Sequence, residues 1–253
     1  MGYKYKVNHH YFDEIDTEYK AYMLGLIYAD GCILQPKGNR QLNLVISLQE
    51  EDGYILDKFS KEACGGMKII SHPPAIKNKG WKKRCLVRIT SDILCKKLIS
   101  YGCSVNKSRL GMQFPSIDTK YYNHFIRGFL DGDGSILMQP AKYSYIRKTV
   151  GIRKDAHIQR YKLRVAFSST DIQFLTKIAD ILGIKNPYIP SKIRKQLNYI
   201  FWIENKTIVL KSLEFIYSES TYFLKRKYDK FLTFKETIKS QAKVTTLEGL
   251  ETT

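Results

Sequence analysis

The chain has 253 residues, and its 42 Lys+Arg against 24 Asp+Glu leave a formal net charge of +18. With 43% hydrophobic and 13% aromatic residues, it is too apolar for a disordered polycation, and its length suits one large domain or two small ones. Its longest apolar runs, such as Tyr22 to Tyr28, fall well short of the ~18 residues that span a bilayer, and Met1-Gly2-Tyr3-Lys4 opens no secretory signal. Five cysteines (Cys32, Cys64, Cys85, Cys95, Cys103) without a CxxC pair point to reduced thiols inside a cell. They argue against a disulfide scaffold or a four-cysteine zinc site.

Asp16 or Thr17 is suited to cap a helix running to Ala29, with Gly31 as its stop. A strand follows, with Leu42, Leu44, Ile46 and Leu48 on one face and Gln41, Asn43, Ser47 and Gln49 on the other. Then come a helix from Asp52 to Glu62, a strand from Arg84 to Thr90 and a helix from Ile93 to Tyr101. Phe114-Pro115-Ser116 marks a boundary.

Beyond it the pattern begins again. Ile15-Asp16-Thr17 returns as Ile117-Asp118-Thr119, and each copy leads into an apolar segment ending in Asp-Gly: Met23 to Gly31, and Ile126 to Gly134. The second helix has Asp118 or Thr119 as its cap and Gly134 as its stop. Leu163, Val165 and Phe167 then alternate with Lys162, Arg164 and Ser168, followed by a helix from Asp171 to Leu182, a strand from Leu197 to Ile203 and a helix from Lys206 to Tyr217. About 18 extra residues separate the second helix from its strand, after Met138, the mark of a loop or hairpin extension. The chain reads as two α-β-β-α-β-β-α units, an α+β class, with residues 1–114 and 115–239 as the halves and 240–253 as a flexible, frayed tail.

The charge is not spread evenly. From Glu62 to Asp92 and from Met138 to Thr170 the chain is nearly free of acids, and both stretches are rich in Lys and Arg interleaved with aromatics. Neither has helical spacing of its basic residues, which disfavours a membrane-surface helix and favours nucleic acid. The polar faces offer Gln41, Asn43, Ser47, Lys82, Arg84, Arg88, Arg147, Arg153, Lys162, Arg164, Ser168 and Asn198 as candidate contacts to phosphates and base edges.

Gly25 and Gly128 occupy matching places in the two apolar helices, with Ala29 and Gly132 one turn on. Small residues four apart let helix backbones approach closely, so these faces are expected to dock. Docking would bring Asp30 and Asp133 together at two helix C-termini, against both macrodipoles and each other. A divalent cation offsets this, and few hard oxygen ligands with room for water and phosphate oxygens suit Mg²⁺. No pair among the five histidines (His9, His10, His72, His124, His157) suggests a histidine-metal nuclease.

The two Asp-Gly segments resemble the paired LAGLIDADG motifs of single-chain homing endonucleases, over about residues 13–235. The resemblance implies two pseudo-twofold-related units whose antiparallel sheets form a saddle on double-stranded DNA. It implies a monomer that hydrolyses one phosphodiester per strand across the minor groove. Asp30 and Asp133, with Ala29 and Gly132 beside them, would hold Mg²⁺, with Mn²⁺ or Ca²⁺ able to substitute for binding. Lys107 and Lys227 match the family's lysines by position, and Gln49 and Ser168 are candidates to order water. Two departures stand out: Tyr28 replaces an acid that Asp131 keeps, and Arg127 replaces a small or apolar residue and is expected to point away from the interface. An intron RNA maturase, with host intron RNA as a partner, and a non-cleaving DNA-binding protein are alternatives on the same scaffold. An intracellular setting is expected, in bacterial or phage cytoplasm or in an organelle.

Overall fold

A computed structural model describes residues 5–36, 38, 41–73, 82–105, 107, 111–141, 145–146, 155–156, 160–189 and 198–250. At its centre two helices pack together, α1 (Glu18–Asp30) from the first repeat and the helix α4 (Tyr122–Asp133) from the second. The α1 helix is buried continuously from Ala21 to Ala29, as a helix apolar on every side must be. Thr17 caps it, accepting from the Lys20 amide at 3.2 Å. In the second repeat Asp118 caps a single 3₁₀ turn, Thr119–Tyr121, and the α-helix starts only at Tyr122. That is later than expected, and the Tyr121 hydroxyl beside the turn is tied to the Asp16 carbonyl of the first repeat.

The two central helices meet as expected. A Cβ on Gly25 would lie 2.0 Å from the Phe125 carbonyl oxygen, and one on Gly128 would lie 2.0 Å from that of Tyr22. The contact is reciprocal, residue for residue, which is the signature of a twofold relation. Gly31 and Gly134 end the helices in extended conformation, at φ −81° and −83°, so a left-handed turn is not what selects glycine there. A Cβ would instead strike the Ile27 and Leu130 carbonyl oxygens, at 2.5 and 2.6 Å.

Each central helix feeds an antiparallel sheet. In the first repeat, β1 (Gly31–Leu34), β2 (Asn43–Gln49), β3 (Ile70–His72) and β4 (Arg84–Thr90) pair in the order β1-β2-β4-β3. Leu44, Ile46 and Leu48 turn inward with Cys85, Val87 and Ile89, beneath α2 (Gly53–Ala63) and α3 (Asp92–Ser100). In the second repeat, β5 (Ser135–Ala141) begins the sheet, and β6 (Tyr145–Ile146) and β7 (Asp155–Ala156) make a separate two-stranded ladder within the insertion. The sheet continues with β8 (Arg160–Ser169) and β9 (Tyr199–Ile203), in the order β5-β8-β9. Its buried residues Leu163, Val165, Phe167 and Phe201 carry α5 (Ile172–Ile181) and α6 (Lys206–Tyr217). The fold is mixed helix and strand with two antiparallel sheets, the expected class.

Two expectations are corrected. The last helix, α7 (Lys225–Leu250), runs well past Lys239. A run of Lys, Gln, Ala, Thr, Leu and Glu without glycine or proline until Gly249 keeps its i→i−4 ladder without needing an apolar stripe. Arg127 is fully buried and reaches the other repeat. It donates to Glu18 Oε1 at 2.6 Å, to the Tyr222 and Ile216 carbonyls at 2.7 and 3.0 Å, and pairs with His124 Nδ1 at 2.9 Å. Burying a guanidinium is tolerable only with this degree of hydrogen bonding. The five cysteines are free, and all but the half-buried Cys32 are buried. Among the described residues no helix is long and apolar enough to cross a membrane.

Candidate active site

Asp30 and Asp133 are the last residues of α1 and α4. The close approach set by Gly25 and Gly128 continues to the helix ends: a Cβ on Gly132 would lie 2.3 Å from the Ala29 Cβ and 3.0 Å from Asp30 Oδ2. Burial first, and the Asp133 carboxylate second, raise the Asp30 carboxyl to about 6. Asp133 is more exposed at its tip, yet loss of surrounding water raises it too, opposed by Lys107 and Lys227. Two carboxylates held this way are poised for a cation.

The two lysines take up equivalent places, though against backbone. Lys107 Nζ donates to the last carbonyls of α1, those of Ile27 at 3.0 Å, Tyr28, and Ala29 at 2.5 Å. Lys227 Nζ donates to the Leu130 carbonyl at 3.1 Å and to that of Gly134. Each ammonium thus adds a donor to carbonyls at a helix end, where those of Ile27 and Leu130 already accept from the Gly31 and Gly134 amides, and faces the negative end of the macrodipole. Burial lowers both lysine pKa values, that of Lys227 to about 8. The Ala29 carbonyl, expected beside a metal, is held by Lys107.

A cavity of about 290 Å³ opens at Asp30, lined by Gln49, Asp52, Arg84 and Gly132 together with Arg226, Lys227 and Lys230 of α7. Both acids, Gln49 and Arg84 come from the first repeat, while the start of β5 and the other cations come from the second. The segment carrying Lys227 is clasped onto the first repeat: Arg226 Nε bonds Asp52 Oδ2 at 3.0 Å, and the Tyr54 hydroxyl donates to the Phe223 carbonyl at 2.6 Å. Reciprocally, the Thr170 hydroxyl donates to the Lys107 carbonyl at 3.2 Å. Each lysine-bearing segment therefore crosses to the strand end of the other repeat.

Asp131 underlies this arrangement. Fully buried, it accepts from the Tyr22 hydroxyl at 3.0 Å, the Tyr217 hydroxyl at 2.9 Å and the Leu224 amide at 2.6 Å, and burial raises it to about 6. At the matching position Tyr28 donates to the Tyr101 carbonyl at 2.5 Å. Each residue at this position thus ties a central helix to the chain leading into its lysine segment.

Of the candidate DNA contacts, Arg84 is anchored by Nε to Ser47 Oγ at 2.9 Å and by Nη2 to the Ser47 carbonyl at 2.7 Å. This holds its guanidinium 3.9 Å from Asp30 Oδ1. Arg88, Lys162, Gln41 and Asn198 are exposed, and Ser168 is half-buried. Lys82 pairs with Glu51 at 3.1 Å, and Arg164 pairs with Glu204 at 2.8 Å, lying over the Trp202 ring. Asn43 is buried and accepts from the Thr90 hydroxyl at 2.5 Å, serving its own sheet. Arg147 and Arg153 lie outside the described residues. Asp52, Arg226 and Lys230 were not foreseen; the dense Lys225-Arg226-Lys227 run was the only signal for any of them.

The donor set suits a hard divalent cation. Among the described residues no group of three or more His, Cys, Asp or Glu could hold a metal. Two carboxylates at a half-open cavity leave the remaining coordination to water and phosphate oxygens, the habit of that ion.

Residues 126–238 match the family model described as LAGLIDADG endonuclease. Among solved structures the chain is similar to the I-SmaMI LAGLIDADG homing endonuclease bound to cleaved DNA, at 16% identity and TM-score 0.60, covering 94% of each chain. It is also similar to LAGLIDADG meganuclease I-AabMI bound to uncleaved DNA, at 15% identity and TM-score 0.56, covering 89% of this chain and 92% of that one. I-SmaMI bound to uncleaved DNA in the presence of calcium ions is similar at 13% identity and TM-score 0.56, over 90% and 92% of the two chains. Among curated proteins no sequence matches. The match and the reciprocal packing of α1 on α4 lead to one conclusion: residues 126–238 match the LAGLIDADG endonuclease model, and the chain as a whole has the fold of the two-repeat LAGLIDADG enzymes to which it is similar.

Proposed function

We propose that this chain is a site-specific double-stranded DNA endonuclease of the homing type, acting as a monomer and hydrolysing one phosphodiester on each strand across the minor groove. Its halves would be residues 1–114 and 115–239. The observation that carries the reading is the pair Asp30 and Asp133, brought together at two abutting helix ends in a chain of net charge +18.

Asp30 and Asp133 would hold the divalent metal, which when bound polarises phosphoryl oxygens and lowers the pKa of water. The chain's own groups then have distinct tasks. Arg84 and Lys230 offer positive charge to a phosphate drawn toward Asp30, while Arg226, held by Asp52, adds to the field there. Lys107 and Lys227 fix the helix ends, and so the spacing of the two carboxylates. Gln49 is suited to order a water. Arg88 and Lys162 would track the backbone or read base edges in the major groove.

The test is cleavage of a library of long duplexes in Mg²⁺, with Asp30→Asn and Asp133→Asn as controls. Recovery of one cut sequence that both variants leave intact is the expected result. Tight binding of a duplex or of intron RNA without any cutting would overturn the reading.

A further inference from the structure

We infer that the sheets read thymine methyl groups at one matching step in each half of the target, through Leu86 with Ile70 beside it in the first repeat and through Ile200 in the second. The target then carries thymine symmetrically at that step and differs between its halves one step further out. This rests on the duplex-binding part of the reading above and names the bases that the same surface selects.

An antiparallel sheet with helices on one face ordinarily turns polar side chains to the other. Here the second face is polar only in part. In β4 the buried residues Cys85, Val87 and Ile89 alternate with Arg84, Leu86, Arg88 and Thr90, so Leu86 lies on the face away from the helices. It pairs with Ser47 of β2 on one side and with Ile70 of β3 on the other, and Ile70 is 51% exposed. In β9 Phe201 and Ile203 are buried, which puts Ile200 on the outer face, half-buried and paired with Ser168 of β8. Ser47 and Ser168 end matching runs of the repeat, Leu44 to Ser47 and Val165 to Ser168. Leu86 and Ile200 therefore occupy the same rung of the two ladders, and both are apolar.

The neighbouring rungs show what such residues face. On the side of the active centre Gln49 pairs with Arg84, which is held to Ser47 and lies 3.9 Å from Asp30. On the far side Val45 pairs with the exposed Arg88. Apolar side chains framed by guanidinium groups fit a polyanion that carries methyl groups, and a second copy of a chain of net charge +18 would be repelled. The major groove of duplex DNA is such a surface, and thymine is the one base with a methyl on that edge. Leu or Ile against it gains about fourfold in affinity for the methyl buried. Against the cytosine amine or the guanine oxygen the same side chain strips water and returns no hydrogen bond, so the rung rejects as well as selects. One rung further out the symmetry ends: Val45 faces Arg88, whereas Ala166 faces Trp202. An exposed arginine suits guanine; Trp202, with the Arg164 guanidinium 5.6 Å from its ring, does not.

The experiment uses the full chain and the duplex recovered from a random library by binding in EDTA, where no cutting intervenes. Each thymine in turn is replaced by deoxyuridine, which lacks only the methyl. In the parent, one replacement in each half is expected to weaken binding about fourfold. Leu86→Ala should make binding indifferent to one of these replacements and Ile200→Ala to the other. The two positions should lie equally far, to within one base pair, from the centre of the protected footprint. Recovery of no preferred sequence, the absence of any thymine sensitive to loss of its methyl, sensitivity that both variants retain, or unequal placement of the two positions would each overturn the inference. So would a dimer of the free chain that Leu86→Ala dissolves while deoxyuridine has no effect, which would assign the apolar rung to a second copy. The expected methyl effects without any cutting in Mg²⁺ would uphold the inference and be a failure of the endonuclease reading alone.

Discussion

Arg127 of the second repeat donates to Glu18 of the first at 2.6 Å, with no solvent exposure of the guanidinium side chain. Glu18 also accepts from the Thr221 and Tyr222 amides, at 2.8 and 3.1 Å, so one carboxylate joins the start of α1 to the loop before α7. The repeat counterparts of this pair are Lys120 and Leu24. The bond is therefore specific to joining first half to second, and no like-with-like pairing of halves could form it.

Breaking such a pair on one side leaves the other charge buried and unpaired. Arg127→Met or Glu18→Gln is expected to lower unfolding free energy by about 3–5 kcal/mol, read by urea denaturation. Replacing both together should cost less than the sum of the single changes. A strictly additive double variant would show that the bond does not couple the halves.

The central helices leave no room for a methyl group. Gly25→Ala and Gly128→Ala each place a Cβ 2.0 Å from a backbone oxygen of the partner helix, and backbone cannot step aside as a side chain can. Both are expected to yield insoluble or molten protein by near-ultraviolet circular dichroism. Gly53→Ala, whose Cβ meets only Cys85 Sγ at 3.2 Å, should remain folded.

The raised Asp30 carboxyl has a defined pH signature. A carboxyl whose folded pKa lies above its unfolded value disfavours the folded state once ionised. Its penalty is absent below about pH 4 and builds as pH rises toward about 6. In EDTA at pH 7.5, Asp30→Asn should therefore raise the melting temperature by several degrees, about 1–3 kcal/mol. At pH 4 the gain should vanish. Mg²⁺ should stabilise the parent and leave the variant's melting temperature unmoved.

Lys227 is almost fully buried against the carbonyls of Leu130 and Gly134. Lys227→Met removes a charged donor from both carbonyls, of which that of Leu130 keeps the Gly134 amide, at about 1–3 kcal/mol. Thermal melts should show that loss, and the cutting rate should fall with it because the helix end carrying Asp133 loosens. Full activity in Lys227→Met would remove the lysine from both roles.

The polar-faced sheets predict a steep salt dependence. With ~8 phosphate contacts, log K against log salt should slope near −7. A nearly flat plot would mean that the exposed Arg88 and Lys162 do not track the backbone.

Much of this molecule is written in short-range pattern. The alternation of Leu44, Ile46 and Leu48, the apolar run from Met23 to Ala29 and the repeated Asp-Gly endings determine strand faces, central helices and twofold plan. Each depends only on a residue's periodicity and on its copy in the other half. The docking of Gly25 on Gly128 was legible for the same reason, since duplication turns a weak spacing into a pair.

What only the tertiary structure decided are contacts between residues whose separation along the chain follows no period. Arg127, in sequence a misfit on an apolar helix, becomes a bridge because Glu18 waits in the other half. Lys107 and Lys227 are matched by position, but their ammonium groups bond carbonyls at the helix ends, and the carboxylates of Asp30 and Asp133 feel them only as nearby charge. Arg226 and Lys230 join Asp30 and Asp52 only because the segment carrying Lys227 crosses to the first repeat. Long-range electrostatic partners depend on such crossings, and local sequence pattern carries no record of them.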